Sequence, residues 1–107
     1  MGSTRIAVVS TDGIHVNDHF GKATRFLIYD IGQQVTLVEE RATEALSVDD
    51  PGHAFDRDKF ARIVSVLKDC QQVYVTRIGD IPAAKLRESG IQPVVYSGPI
   101  AALKALV

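Results

Sequence analysis

The side chains of this 107-residue sequence best suited to bind a transition metal are three histidines and one cysteine. His15 and His19 lie four residues apart in one turn-rich segment, and His53 lies much later, beside Pro51-Gly52. Neutral imidazole is a good ligand for iron and related metals. The single cysteine, Cys70, excludes an intrachain disulfide and any cluster site built from several cysteines of this chain. A metal site here would therefore use imidazole rather than a set of thiolates.

Cationic and turn-forming residues surround the first two histidines. Ser10-Thr11-Asp12-Gly13 precedes them, and Lys22 and Arg25 follow. A second turn-rich segment, Arg77-Ile78-Gly79-Asp80, opens a predicted helix whose amino terminus would favour an anion. Both segments are expected to offer backbone N–H groups. Imidazoles, cations and free amides together suit an anionic ligand that contains a metal.

Five apolar runs predict the strands that would position these segments. They cover residues 5–10, 25–31, 34–40, 73–76 and 93–96. Gly32-Gln33 separates the second run from the third and indicates an antiparallel hairpin. Residues 13–24 show no clear period and are predicted to be a loop. Residues 41–55 form a long connection of the kind that is often functional or mobile.

Two further segments predict helices. The first has one apolar face with i, i+3, i+4, i+7 spacing, formed by Phe60, Ile63, Val64 and Leu67. Asp56 is its predicted N-cap, and Phe55 stands at the outer position of a hydrophobic staple. The second helix begins at Gly79-Asp80-Ile81-Pro82 and ends at Gly90. A short helix from about Pro99 closes the chain.

The element order β-β-β-α-β-α-β-α predicts a mixed five-stranded sheet. Helical crossovers join parallel neighbours, so strands 4 and 5 should lie parallel to strand 1. The predicted order is 3-2-1-4-5, with helices on both faces, in an α/β fold of the ribonuclease H-like type. Ligands bind beyond the carboxyl ends of neighbouring strands whose connections leave in opposite directions. Residues 1–107 are therefore predicted to form one cofactor-binding domain with its site between Asp12 and Arg77.

The composition limits the classes of partner. Hydrophobic residues make up 46% of the chain, charged residues 23%, and the net charge is -1. These values argue against disorder and against a nucleic-acid binder that depends on bulk positive charge. No apolar run approaches the roughly 18 residues of a membrane span, and the first residues lack a signal-peptide pattern. A lone cysteine fits a reducing compartment, so a cytoplasmic protein without nucleic-acid or membrane partners is expected.

Several groups of residues form a pattern that runs from strand 1 to the start of the second helix. They are Ile6-Ala7-Val8-Val9-Ser10-Thr11-Asp12-Gly13, Val16, His19-Phe20-Gly21, residues 26–29, Asp69-Cys70, residues 73–76 and Arg77-Ile78-Gly79. This pattern resembles the dinitrogenase iron–molybdenum cofactor biosynthesis family. The resemblance is to the NifX-like domain, which is also the C-terminal part of NifB-like proteins, and it covers roughly residues 5–95.

The resemblance implies that the protein binds and carries the iron–molybdenum cofactor or an iron–sulfur precursor, with transient binding and no catalysis. It also implies the ribonuclease H-like fold and cofactor-assembly proteins as partners. A monomer or weak dimer is expected. Because the family includes proteins outside nitrogen fixation, cluster binding is implied more strongly than a role in nitrogenase assembly.

The predicted cofactor-binding residues come from both turn-rich segments. They are Thr11, Asp12, Gly13, His15, His19, Phe20, Gly21, Arg77, Ile78 and Gly79. His19, at the centre of the family's motif, is the predicted metal ligand, although it could instead cap the loop by hydrogen bonding to backbone. His15 could be an auxiliary ligand or merely exposed. Arg77 could attract an anionic cluster or form a salt bridge with Asp80.

Two other metal-binding side chains are predicted to lie outside the site. His53 could close over a bound cluster, but a solvated loop histidine is the favoured interpretation. Cys70 lies before strand 4, at the edge opposite Arg77, and is predicted to be a small buried hydrophobe.

Two other classes of function are open. A metal-dependent nuclease needs several carboxylates converging on the central strands, and strands 1, 2 and 4 offer only Asp30, with Asp12 in the first loop. A Ser10 nucleophile with His19 as its base has no further support. The main alternative to a cluster carrier is a regulatory or interaction domain that binds a protein or an organic anion without a metal.

Overall fold

A mixed five-stranded sheet forms the centre of the computed structural model, which describes residues 3–45 and 57–105. The strands are β1 (Thr4–Val8), β2 (His15–Val16), β3 (Arg25–Ile31), β4 (Val35–Ala42), β5 (Gln72–Val75), β6 (Gln92–Val95) and β7 (Gly98–Pro99). The α-helices are α1 (Arg57–Val66) and α2 (Asp80–Glu88), and two 3₁₀ helices are η1 (Phe20–Lys22) and η2 (Ile100–Ala105). The predicted α/β class and mixed five-stranded sheet are confirmed.

The central sheet has the order β4-β3-β1-β5-β6. Counted along the chain, its five strands stand in the order 3-2-1-4-5. β1 pairs antiparallel with β3 and parallel with β5, and β5 pairs parallel with β6. The carboxyl ends of β1 and β5 therefore lie side by side, and both turn-rich segments begin at that edge.

Helices cover both faces of the sheet, but both α-helices lie on the same face. Phe60 and Ile63 of α1 and Leu86 of α2 are buried against sheet residues that include Ala7 and Val73. On the other face the cover is a 3₁₀ helix, η2. Its residues Ile100 and Leu103 are buried with Ile6, Val8 and Tyr74. The last predicted helix is therefore present as the tighter 3₁₀ form.

The apolar face predicted for α1 is confirmed. Phe60, Ile63 and Leu67 are buried, and Val64 packs against the same cluster. Leu67 lies one residue beyond the end of α1. The predicted N-cap Asp56 and the outer staple residue Phe55, together with His53 and the Pro51-Gly52 turn, lie outside the described residues.

The predicted bounds of α2 are also confirmed. Gly79 is the N-cap, Pro82 lies in the first turn, and the helix ends at Glu88. Gly90 has a φ of 83°, a left-handed conformation in which glycine avoids the steric cost of a Cβ atom. None of the helices within the described ranges is long and apolar enough to cross a bilayer.

The prediction that residues 13–24 form only a loop is wrong. His15–Val16 is a short strand, β2, which pairs antiparallel with β7 in a separate two-stranded sheet. Phe20–Lys22 forms η1. Val16 and Phe20 are buried in opposite halves of the core, so the segment is fixed at two points. Elements of two and three residues are too short to show periodicity in a sequence.

Candidate functional site

The segment that carries both histidines covers residues 11–24. Its residues 18–20 lie beside β5 beyond the end of β1 and so continue the sheet. The N–H of Thr76 donates to the carbonyl of Asp18 at 3.0 Å, and that of Phe20 donates to the carbonyl of Arg77 at 2.9 Å. His19 and Arg77 are paired as an isolated parallel bridge. The structure therefore brings the predicted metal ligand, His19, next to Arg77, the predicted cation of the second segment.

His19 is held by its backbone alone. It is half-buried and extended, with φ -86° and ψ 149°, and its N–H donates to Asp18 Oδ1 at 2.8 Å. Although His19 occupies the N-cap position of η1, its side chain makes no capping hydrogen bond. The imidazole has no hydrogen-bond or ion-pair partner among residues 3–45 and 57–105. The interpretation of His19 as a capping side chain is therefore wrong, and both ring nitrogens are left for other partners.

Two cationic side chains near this bridge are also unpaired. Arg77 and Lys22 are exposed, and neither has an ion-pair partner in the described part of the chain. The salt bridge between Arg77 and Asp80 that the sequence allowed is therefore not formed. These side chains can turn towards an anion at the edge where His19 lies.

The side chains of Phe20 and Ile78 pack in the core, so these residues support the site by anchoring its backbone. Phe20 is 1% exposed, and its ring lies 6.1 Å from that of Phe26 and 6.4 Å from that of Phe60. Ile78 packs against the same cluster. Both predicted site residues therefore anchor the backbone beside His19 and Arg77. Gly21 lies within η1, and Gly79 is the N-cap of α2.

Asp12 organises the first half of the segment. Its Oδ1 atom accepts hydrogen bonds from the Ser10 hydroxyl at 3.1 Å and from the N–H groups of Ile14 and His15 at 2.8 and 2.9 Å. Its Oδ2 atom lies 3.0 Å from His15 Nδ1. These contacts, chiefly the side-chain bond with His15, lower the pKa of the Asp12 carboxyl well below its ordinary value. Asp12 is therefore ionised and fully engaged at neutral pH.

The expectation that Ser10-Thr11-Asp12-Gly13 offers free amides is wrong at two of its positions, Thr11 and Gly13, and the next two amides are occupied as well. The N–H groups of Ile14 and His15 donate to Asp12, and that of Gly13 donates to the Ser10 hydroxyl at 2.9 Å. The N–H of Thr11 donates to Asn17 Oδ1 at 2.8 Å. Polar side chains in the segment thus occupy the donors that an anion would use.

Residues 98–100 pair with residues 14–16 of the histidine-bearing segment. Sequence patterns did not predict this contact. His15 is paired with Pro99, and Val16 with Gly98. The N–H of Ile100 donates to the carbonyl of Ile14 at 2.8 Å. Gly98 has a φ of 152°, and a Cβ atom there would lie 2.9 Å from the Tyr96 hydroxyl oxygen. The Gly98-Pro99 dipeptide was the sequence signal that could have indicated a close backbone approach here.

An open pocket of about 250 Å³ lies beside the same edge. Its lining residues are Val9, Ser10, Thr11, Asp18, Lys22, Ala23, Thr24 and Arg25. Arg25 is held in place by Glu40 at 2.8 Å and by the carbonyls of Ser10 and Thr11. Lys22 and Asp18 have no ion-pair partner among the described residues, although the Asp18 carboxylate accepts a hydrogen bond from the N–H of His19. Asp18 and Thr24 were not predicted as site residues, because neither belongs to a recognisable motif.

Cys70 lies far from this edge. It follows Asp69 at the amino end of β5 and is 4% exposed. Burial, with the nearby Asp69 charge, raises the pKa of the thiol to about 12. The prediction that Cys70 is a buried apolar residue is confirmed, and its thiol is not poised as a metal ligand.

No group of three or more His, Cys, Asp or Glu side chains able to hold a metal ion occurs within the described ranges. The geometry instead offers separate imidazoles with unpaired cations near one of them. Such a site suits a pre-formed anionic metal cluster better than a bare metal ion, which needs several protein ligands.

Sequence comparison assigns the chain to a family. Residues 2–107 match the family described as dinitrogenase iron-molybdenum cofactor. The chain belongs to this family. The family resemblance predicted from the turn-rich segments is thereby confirmed, and it extends over nearly the whole sequence.

Relatives with known names include proteins of iron–molybdenum cofactor biosynthesis. NifY of Azotobacter vinelandii is 37% identical over 93 residues, which are 86% of this chain and 36% of NifY. The FeMo cofactor biosynthesis protein NifB of Chlorobaculum tepidum is 34% identical over 98 residues, 89% of this chain and 22% of NifB. NifX of Klebsiella pneumoniae is 33% identical over 91 residues, 84% of this chain and 54% of NifX. The chain thus spans about half or less of each relative.

The same fold occurs in solved structures. An NMR structure of a candidate NifB protein from Thermotoga superposes with a TM-score of 0.61 over 95% of this chain and 84% of that chain. Sequence identity is 20%, so this likeness concerns the fold alone.

Proposed function

We propose that this protein binds an anionic iron–sulfur or iron–molybdenum-type cluster and carries it during cofactor assembly, with His19 as the metal ligand. The observation that carries the proposal is the His19 imidazole, which is fixed through its backbone beside Arg77 and has no side-chain partner in the described structure. Neutral imidazole is a good iron ligand. Membership of the dinitrogenase iron-molybdenum cofactor family supports a cluster as the cargo.

Electrostatic attraction would come from Arg77 and Lys22. Both are exposed and unpaired within the described residues, so they can approach a cluster without giving up an existing ion pair. The amino terminus of α2 adds a partial positive charge, but Asp80 in its first turn offsets part of it. The two side chains are therefore the main source of attraction, and Thr11, Gly13, Gly21 and Gly79 shape the backbone around the cluster.

The small number of protein ligands fits a carrier. A protein that must deliver its cargo needs bonds that exchange, and one or two imidazoles release a cluster more readily than four thiolates would. Cys70 is buried at the other end of β5 and is held as a neutral thiol. Cofactor-assembly proteins in the cytoplasm would supply the cluster to this protein and accept it afterwards. We assign the fold to the ribonuclease H-like type.

The two carboxylates on which the nuclease alternative depends, Asp30 and Asp12, do not converge. Asp30 is paired with Arg5, at the amino end of β1, and both of its oxygens accept hydrogen bonds from that guanidinium. Asp12 follows the opposite end of β1 and is bound by its own loop. Two carboxylates at opposite ends of a strand do not share a metal ion, so we propose binding rather than catalysis.

The test is anaerobic titration of the protein with isolated cluster, followed by absorption spectra and metal analysis after gel filtration. The proposal expects the protein to retain colour, iron and, with the mature cofactor, molybdenum in a fixed ratio to chain. A protein that elutes colourless at every cluster concentration would support the alternative of a regulatory or interaction domain that binds no metal.

A further inference from the structure

His15 and Asp12 form a pair whose geometry is not explained by loop structure alone. Asp12 Oδ1 already accepts the hydrogen bonds that shape the turn, from Ser10, Ile14 and His15. The second oxygen, Oδ2, is directed to the imidazole, 3.0 Å from Nδ1. The two oxygens therefore have separate partners, one the backbone turn and the other the ring of His15.

This contact decides which ring nitrogen of His15 carries a proton. An ionised carboxylate can only accept hydrogen bonds, so Nδ1 must donate, in the neutral imidazole as well as in the charged one. In the neutral ring the other nitrogen, Nε2, then keeps its lone pair. Nε2 has no partner among the described residues, and the side chain is 50% exposed. A lone pair is thus presented to solvent in a fixed direction.

Histidines that bind metals commonly have this arrangement, in which one ring nitrogen donates to a carboxylate and the other binds the metal. We propose that His15 Nε2 is a second metal-binding atom of the site, with Asp12 as the residue that positions it. The inference rests on the proposed function, since the metal would belong to the bound cluster. The pairing of β2 with β7 fixes the backbone of His15 and so keeps the ring in place.

The first experiment determines the tautomer. The full chain, labelled with ¹⁵N-histidine, is examined without metal by long-range ¹H–¹⁵N correlation at neutral pH. The expected spectrum shows neutral His15 with its proton on Nδ1. In Asp12→Asn, the amide oxygen can still accept the backbone hydrogen bonds, but the amide NH₂ now donates to Nδ1 and moves the proton to Nε2. A wild-type ring with its proton on Nε2 would overturn the inference.

The second experiment measures cluster affinity by anaerobic titration. Asp12→Asn is expected to weaken binding by about 10–100-fold, as removal of a carboxylate behind a metal-binding histidine does. His15→Gln should weaken cluster binding at least as much, while leaving intact the hydrogen bonds that Asp12 accepts from the backbone. Glu88→Gln, which removes a charge at the far end of α2, is the matched control and should bind as wild type does. Thermal melts confirm that each variant is folded.

The outcomes separate this inference from the proposed function. If wild type takes up cluster and both variants bind equally well, His15 is not a ligand, and the carrier function stands. If wild type takes up no cluster, the proposed function fails, and titration with Zn²⁺ alone decides the role of His15. A Zn²⁺-dependent shift of the Nε2 resonance in wild type, absent in Asp12→Asn, then supports a site for a free ion, and an unchanged resonance overturns the inference.

Discussion

Near the amino end of strand β1 the arginines are paired with carboxylates, whereas two cations near its carboxyl end have no partner in the described structure. At the amino end, Arg5 makes two hydrogen bonds to Asp30, at 2.8 and 3.1 Å, and one to Asp69 at 3.0 Å. Arg41 reaches the same Asp69 from β4 with two hydrogen bonds, at 2.6 and 2.9 Å. At the carboxyl end, Arg77 and Lys22 have no partner within the described structure.

This difference separates stability from function. The paired network joins β1, β3, β4 and the segment before β5, so its charges serve the fold. The two unpaired cations at the carboxyl end, Arg77 and Lys22, contribute little to the fold, because an exposed cation without a partner is simply hydrated. They are available for a ligand, and they lie at the edge where ligands bind in open α/β sheets. Substitutions at the two ends should therefore have opposite effects on stability and on cluster binding.

The largest effect on binding is expected from His19→Ala. Loss of a direct metal bond should weaken cluster affinity by more than the 10–100-fold typical of residues behind the ligand. The melting temperature should change little, because the imidazole has no partner in the described part of the fold. Anaerobic titration and a thermal melt measure the two effects, with Lys104→Ala, whose ammonium contacts the carbonyl of Gln33, as the binding control. Wild-type affinity in His19→Ala would remove the main residue-level support for the carrier.

At the other end of the sheet, Cys70→Ser should lower stability and leave cluster binding intact. Replacing a buried thiol by a hydroxyl costs roughly 1–3 kcal/mol if the hydroxyl finds no partner. The value should fall towards the lower limit, since Asp69 Oδ1 lies 3.7 Å from the sulfur and can accept a hydrogen bond. Urea unfolding measures the loss. In wild type, slow alkylation of the thiol that becomes fast in denaturant would confirm its burial, and lost cluster binding with unchanged stability would contradict the comparison.

A smaller loss of stability is expected from Asp69→Asn, about 1 kcal/mol, because the carboxyl is partly exposed and solvent weakens its ion pairs. The hydrogen bonds from Arg41, followed by the one from Arg5, lower the pKa of Asp69 in the folded state. Stability from this group is therefore fully present above its ordinary pKa, near 4, and is lost as the pH falls further. Urea unfolding from about pH 7 to pH 3 should show the difference between wild type and variant shrinking with acid. Glu88→Gln, which removes an exposed carboxylate at the end of α2, is the matched control.

The sequence predicted those parts of the molecule in which neighbouring residues carry the signal. Apolar runs located the five strands of the central sheet, and the i, i+3, i+4, i+7 spacing located the buried face of α1. The parallel pairing of β1 and β5 followed from the helical crossover, and this pairing placed His19 and Arg77 at one edge. Cys70 was predicted to be buried from its position between α1 and β5.

The details of the site depend on contacts that no local pattern encodes. The pairing of β2 with β7 joins His15 to Pro99 across most of the chain. The loop amides seemed free in the sequence because their acceptors, on Ser10, Asp12 and Asn17, depend on how the loop folds. Likewise, the position of His19 beside Arg77 depends on a backbone pairing that only the assembled sheet provides.

The smallest effect, and the one that tests the electrostatic half of the comparison, is expected from Arg77→Ala. An exposed guanidinium attracts an anion through a partly screened charge, so its loss should weaken cluster affinity by only about three- to tenfold at low salt. The difference from wild type should shrink as ionic strength rises, because the Debye length falls from about 10 Å at 0.1 M to about 3 Å at 1 M. Lys104→Ala removes the same charge far from the site and should leave affinity unchanged. Titrations at several salt concentrations make the measurement.

A loss of affinity that does not depend on salt would mean that Arg77 binds the cluster by a direct hydrogen bond. No loss at any salt concentration would mean that the unpaired cations at this edge do not attract the cluster.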